Sequence, residues 1–224
     1  MEYLELFEIN KQYWLEKENI AKENMKFHLK NESHILIEVA SQHPLIDGIY
    51  PNDEFKARLD KSIEIYNYYL SQGINVSIYV PGSIHKYNEV IDKISLSKAG
   101  ISYLLEKNIP LSALKGEEIN LLYKGEDGVY NAADECYCTS KLFLENNYSN
   151  LICVCSTNQI PRKALFYIEF GVVAQFVNIF TEKMFHDNYI EEIFGSFSNV
   201  LYFDHSWQDK DSFIFKECRK ERKP

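Results

Sequence analysis

The chain predicts an α/β fold: a three-layer, Rossmann-like arrangement with a mostly parallel sheet and helices on both faces. Three observations carry that expectation. The strand candidates are continuous apolar runs, as strands buried on both faces are. They alternate with helix-length amphipathic segments at spacings suited to βαβ crossovers. The composition, 46% hydrophobic and 25% charged over 224 residues, is that of an ordinary globular chain with one sizeable core.

Taken in order, residues 1–30 read as an N-terminal helical extension with Leu4, Phe7, Trp14 and Ile20 on its apolar face. Residues 31–224 read as a single α/β domain. "HILIEVAS" (34–41) is a strand, and "QHPLIDGIYPND" is loop, punctuated by His-Pro, Asp-Gly and Tyr-Pro. Asn52 or Asp53 caps a helix carrying Phe55, Leu59, Ile63, Tyr66 and Leu70 at three- and four-residue steps, which stops near Gly73.

"NVSIYV" (75–80) is a second strand, and a helical region follows over 86–107, broken near Gly100. "IPLSALKG" supplies a third short strand and "VYNAADECYCTSKLFLEN" a helix. "NLICVCS" is the fourth strand, "PRKALFYIEFG" the next helix and "VVAQFVNIF" the fifth strand. The tail alternates helix ("YIEEIFGSF"), strand ("NVLYFD") and charge. Ligands of such sheets bind beyond the carboxyl ends of the strands, which points to the loops 42–53, 81–86 and 156–161.

A net charge of −9 argues against nucleic acid as a partner, because a phosphate backbone needs a basic field. The one basic run, "KECRKERKP", reads as a solvated tail. No apolar run approaches the roughly 20 residues that span a bilayer. The acidic, helix-patterned start is unlike a signal peptide, so the expected location is cytoplasmic with no membrane partner. Five cysteines in non-scaffold spacing fit reduced thiols.

The two C-x-C pairs resemble ligand spacing but make a poor metal site. Cys136 and Cys138 sit on a helix, where two residues turn the side chains about 200° apart. Cys153 and Cys155 share one face of a buried strand, where cysteine packs as a small hydrophobe. Core packing, a metal site and a reactive thiol at Cys136 or Cys155 are the three readings, and no metal is expected.

Arginine is scarcer and more informative. Of four, Arg219 and Arg222 lie in the tail, which leaves Arg58 and Arg162, each early in a helix that follows a strand and loop. A guanidinium offers a planar fork for phosphate or carboxylate, and helix amino ends add N–H donors. Structural ion pairs with Asp60, Glu169 or Asp134 are the alternative. "VPGSIHKYNE" repeats the design: Ser83 is a candidate anion contact, and His85 a candidate proton carrier or ligand contact at a helix start. In "KGEDGVYNAADE", Asn131, Asp134 and Glu135 either complement a helix dipole or orient a reacting group. His43, Asp47 and His186 are weaker candidates.

The layout resembles the DUF218 family of α/β proteins, the YdcF/SanA/ElyC-like group, over residues 34–180. Arg58 matches that family's early arginine, and "PGS" with Glu89 is similar to its Ser-Gly turn and glutamate. Asn131 matches the asparagine of its "S-x-N-T-x-E-N-A" element, with Asp134 at the glutamate. Ser156 and Arg162 of "STNQIPRKA" match "S-x-x-H-x-x-R-A". Gln159 stands where the family has histidine, Ala132 where it has threonine, and the turn order is reversed. An amide transfers no proton at neutral pH, so position 159 has no acid/base role.

The resemblance implies a Rossmann-like fold with a polar pocket for an anionic, phosphate-bearing small molecule, without a settled reaction. The function expected is a transferase or hydrolase acting on a phosphate- or nucleotide-bearing substrate. Arg58, Ser83, Asn131, Ser156, Gln159 and Arg162 would bind it, and His85, Asp134 and Glu135 would do the chemistry. A nucleotide-like cofactor such as S-adenosylmethionine is compatible with that pocket. A non-catalytic, ligand-binding regulatory module is the alternative.

Overall fold

The structure is a computed structural model, and it describes residues 15–26, 34–87, 90–146 and 148–179. The expected tail elements, His186, Glu89, Leu4, Phe7 and Trp14 lie outside these residues. Its elements are helix α1 (15–26), β1 (His34–Val39), α2 (Asp53–Ser71), β2 (Asn75–Tyr79), β3 (Lys86–Tyr87), β4 (Val90–Ile91) and α3 (Leu96–Glu106). There follow β5 (Leu114–Lys115), α4 (Glu117–Lys124), α5 (Ala132–Glu145), β6 (Asn150–Ser156), α6 (Ile160–Glu169) and β7 (Gln175–Ile179).

Five strands pair in the order β5-β2-β1-β6-β7, and every pairing is parallel. The chain moves outward from β1 to β2 and β5, then returns to β1's other side for β6 and β7. The order therefore reverses between β1 and β6, the point at which α/β sheets open a crevice.

Strand periodicity divides the core into two layers. Ile35, Ile37 and Val39 of β1, with Ile152 and Val154 of β6, pack against Phe55 and Leu59 of α2 and Leu96 and Leu104 of α3. Leu36, Cys153 and Cys155 face the other way, toward Cys136, Leu142 and Phe143 of α5 and Leu165, Phe166 and Tyr167 of α6. Glu38 shares that second face through the same two-residue alternation. All four described cysteines are buried and free, and the described residues hold no cluster of three or more metal-ligating side chains. Burial pushes the Cys136 thiol well up and Cys138 to about 12, so both stay protonated.

Several expectations change. The helix drawn over 86–107 is a two-stranded antiparallel hairpin, β3–β4, followed by α3 alone. Ser95 caps α3, its Oγ accepting from Lys98 N at 3.0 Å, so the helix cannot extend back to His85. Gly100 does not break α3; it lets the helix press on the sheet, since a Cβ there would lie 2.7 Å from Val80 Cγ1 and 3.1 Å from Phe55 Cζ. The strand drawn over "IPLSALKG" is two residues long, because Leu111–Ala113 coil into a 3-10 turn, and α4 follows it unforeseen. Its adjacent Leu121 and Leu122 are both exposed, which hides the helical period. In α1 the buried residue is Ala21, whereas Ile20 is exposed; Asn24 Nδ2 ties the helix to Gly171 O at 2.7 Å. No described helix is long and apolar enough to cross a membrane.

The tight seat at Gly100 makes Gly100→Val an overpacking change between α2, α3 and β2. Urea unfolding is expected to show a loss of about 1–3 kcal/mol.

Candidate functional site

The carboxyl ends of β1 and β6 are clamped from the α2 side by Arg58. Asn52 starts α2, its Oδ1 accepting from Phe55 N at 2.9 Å, while its Nδ2 donates to Pro44 O at 2.9 Å and folds the preceding loop back. That start places Arg58 in the second helical turn, fully buried. Its Nη1 donates to Ala40 O and Ser41 O, both at 2.9 Å, and its Nε donates to Ser156 Oγ at 3.1 Å. Its Nη2 reaches Gln42 Oε1, Glu54 Oε1 and Ser156 Oγ. Ser156 Oγ donates to the same Glu54 oxygen. The fork is thus filled by the protein's own acceptors, and its ion pair is with Glu54 rather than Asp60, Glu169 or Asp134.

On the opposite face lies a second buried charge group. Lys163 of α6 donates to Glu38 Oε1 at 2.7 Å and pairs with Glu135 Oε2 at 2.7 Å. Tyr167 donates its hydroxyl to Glu38 Oε2. Burial disfavours the ammonium, but Cys136, Glu135 and Glu38 around it outweigh burial and hold its pKa well above the usual lysine value. The two carboxylates are the charges among these, because the Cys136 thiol is neutral. Glu135 also accepts from Ser41 Oγ at 2.6 Å and Ser41 N at 3.3 Å. Burial works to raise its pKa, yet Lys163 and Ser41 together keep it below the ordinary carboxylate value.

Above these two groups is a cleft of about 340 Å³ at the β1/β6 crossover. The loop after β1 supplies Ser41, Gln42 and His43, and the segment after β2 supplies His85 and Lys86. Asn131 and Glu135 come from the start of α5, and Gln159 and Arg162 from the start of α6. His43 Nδ1 lies 2.7 Å from Asp92 Oδ2, and Asp92 Oδ1 accepts from Leu45 N at 2.9 Å. Asp92 is buried, so the dyad fixes both the ring's orientation and the nitrogen that carries its proton. His85 stacks on His43, with centroids 5.5 Å apart. Its Nδ1 faces Ser83 O and its Nε2 faces Tyr130 O, both at 3.0 Å. Carbonyls only accept, so a neutral ring can satisfy just one of the two.

Five of the nine site residues expected from the sequence line this cleft: His85, Asn131, Glu135, Gln159 and Arg162. Asn131 caps α5, its Oδ1 accepting from Asp134 N at 3.0 Å. Arg58 and Ser156 lie beneath the cleft in the clamp just described. Ser83 is zipped to Val129, donating through N and accepting at Oγ, both at 2.9 Å, and lines a separate hollow. Asp134 is fully buried, paired with Lys124 at 2.9 Å and accepting from Tyr130 N. Of the weaker candidates, His43 lines the cleft and Asp47 does not.

Sequence reasoning missed Asp92, Lys163, Glu38, Ser41 and Lys86. A signal existed for Glu38, a charge inside an apolar strand, and for Lys163, a lysine on the apolar side of "PRKALFYIEF". Compared with known proteins, the chain matches no family model, no curated protein and no solved structure.

Two measurements test these assignments. Arg58→Met removes the cation of the clamp, and urea unfolding is expected to show a loss of about 3 kcal/mol or more; an unchanged midpoint would mean that the clamp is idle. Glu135, with its pKa depressed by folding, contributes stability that is complete above its unfolded pKa and lost as pH falls through the folded one. The stability gap between the wild type and Glu135→Gln is therefore expected to be widest near neutral pH and to shrink below about pH 4.

Proposed function

We propose that the chain is a small-molecule enzyme, a transferase or hydrolase, whose phosphate-bearing substrate sits in the cleft at the β1/β6 crossover. One observation carries this reading: the charge of the lining. On a chain of net charge −9, two cationic side chains, Arg162 and Lys86, converge on one cleft that two histidines also line. Among the described residues lining it, Glu135 is the one carboxylate, and it is already matched by Lys163 and Ser41. Such a pocket favours an anion. The resemblance to the DUF218 family supports the same ligand class, since Arg162 and Asn131, two of its matched positions, line the cleft and Ser156 lies directly under it.

For proton transfer the better placed group is His43 rather than His85. The Asp92 contact at Nδ1 gives His43 the orientation of a general base, whereas both nitrogens of His85 face carbonyls. A second reading, a binding module without turnover, draws on that occupied His85 and on the amide of Gln159 in the cleft.

A thermal-shift series with inorganic phosphate, pyrophosphate, AMP and S-adenosylmethionine tests the ligand class. At a hundred times its Kd, a true ligand adds about 2.7 kcal/mol of stability, and Arg162→Ala with Lys86→Ala is expected to abolish it. No stabilisation by any of the four would refute an anion site. Hydrolysis of p-nitrophenyl phosphate that disappears in His43→Asn and Asp92→Asn favours the enzyme, and binding without turnover favours the module.

A further inference from the structure

The cleft contains acceptors as well as cations, and the acceptors restrict what can be attached to the anion. A carboxylate has about four lone-pair positions. In Glu135, Ser41 N and Oγ occupy Oε1, and Lys163 occupies one side of Oε2. One position on Oε2 is left on a residue that lines the cleft. Glu135 is held ionised, so it cannot donate and it repels phosphate; whatever docks against it must bring a donor. Gln159 makes the same demand. Its Oε1 is buried and has no hydrogen-bond partner among the described residues, and the residue belongs to the lining of the same cleft. A buried acceptor left unmatched is costly, and a donor from a ligand relieves it.

We infer that the cleft takes a hydroxyl-bearing phosphate ester: the phosphate lies against Arg162 and Lys86, and sugar hydroxyls donate to Glu135 Oε2 and Gln159 Oε1. This rests on the anion reading above and narrows it. An amine donor would also suit a carboxylate, but Arg162 and Lys86 oppose a further cation in the same small volume. A free sugar phosphate and the ribose phosphate of a nucleotide present the same chemistry.

Isothermal calorimetry with inorganic phosphate, ethyl phosphate, ribose 5-phosphate and AMP tests the inference on the full chain. Ribose 5-phosphate is expected to bind at least about tenfold more tightly than ethyl phosphate, the effect of matching one buried acceptor. Gln159→Leu, at a partly exposed position and with folding checked by its urea midpoint, is expected to remove most of that preference while leaving inorganic phosphate unchanged. Glu135→Gln is expected to remove it as well. Equal affinity for ribose 5-phosphate and ethyl phosphate, with phosphate still bound, would overturn the hydroxyl inference and leave the anion site standing. Failure of all four to bind would overturn both. AMP equal to ribose 5-phosphate supports a sugar phosphate, and AMP tighter supports a nucleotide whose base adds contacts.

Discussion

The ammonium of Lys163, closed between Glu38 and Glu135 with no exposure of its own, is the contact on which the carboxyl end of the sheet depends. Removing three charges from water costs several kcal/mol per ion, and only good geometry with further hydrogen bonds returns it. Tyr167 and Ser41 supply those bonds. The group joins the central strand β1 to α5 and α6, elements more than ninety residues away in the chain. It also sets the state of Glu135, the one carboxylate among the described residues of the cleft lining.

Arg58 performs the matching task on the other face. Glu38 points toward α5 and α6, while Arg58 rises from α2 to grip the carbonyls just past the end of β1 and the hydroxyl that ends β6. The crossover is therefore fixed from both sides by one buried cation each. Where the strand order reverses, neighbouring loops part at the carboxyl ends of β1 and β6, and there the backbone runs out of ladder partners. Arg58 supplies donors to two of these carbonyls, Ala40 O and Ser41 O, which explains why an anion-binding residue type can be fully occupied as structure.

Most of the sheet was legible in the sequence because its signal is local. The apolar runs at 34–41, 75–80 and 150–156 match β1, β2 and β6 closely, and the cap at Asn52 is a short-range pattern. What escaped was short or distant. The two-residue strands β3 and β4 are too brief to show a period, and α4 hides its face behind two exposed leucines. The site divides in the same way: Arg162, Gln159 and Asn131 sit at helix starts that pattern reveals. Glu38 meets Lys163 across 125 positions, and His43 meets Asp92 across 49. Such pairs exist only after folding. The scarcity of arginine drew attention to Arg58 as an anion contact, but only the tertiary contacts show where its donors go.

The short segment after β4 has a mechanical meaning for the whole rim. Asp92 accepts from Leu45 and holds His43, its own N–H reaches His85 O at 3.0 Å, and Lys93 N donates to Gly48 O at 2.7 Å. Ser83 then links the β2 loop to Val129 ahead of α5. The connections that follow β1, β2 and α4 are thus laced into one hoop. An insertion or a proteolytic nick at 92–94 would slacken all three together, whereas the turn at Gly73, where a Cβ would meet nothing within 4 Å, has room to accept extra chain.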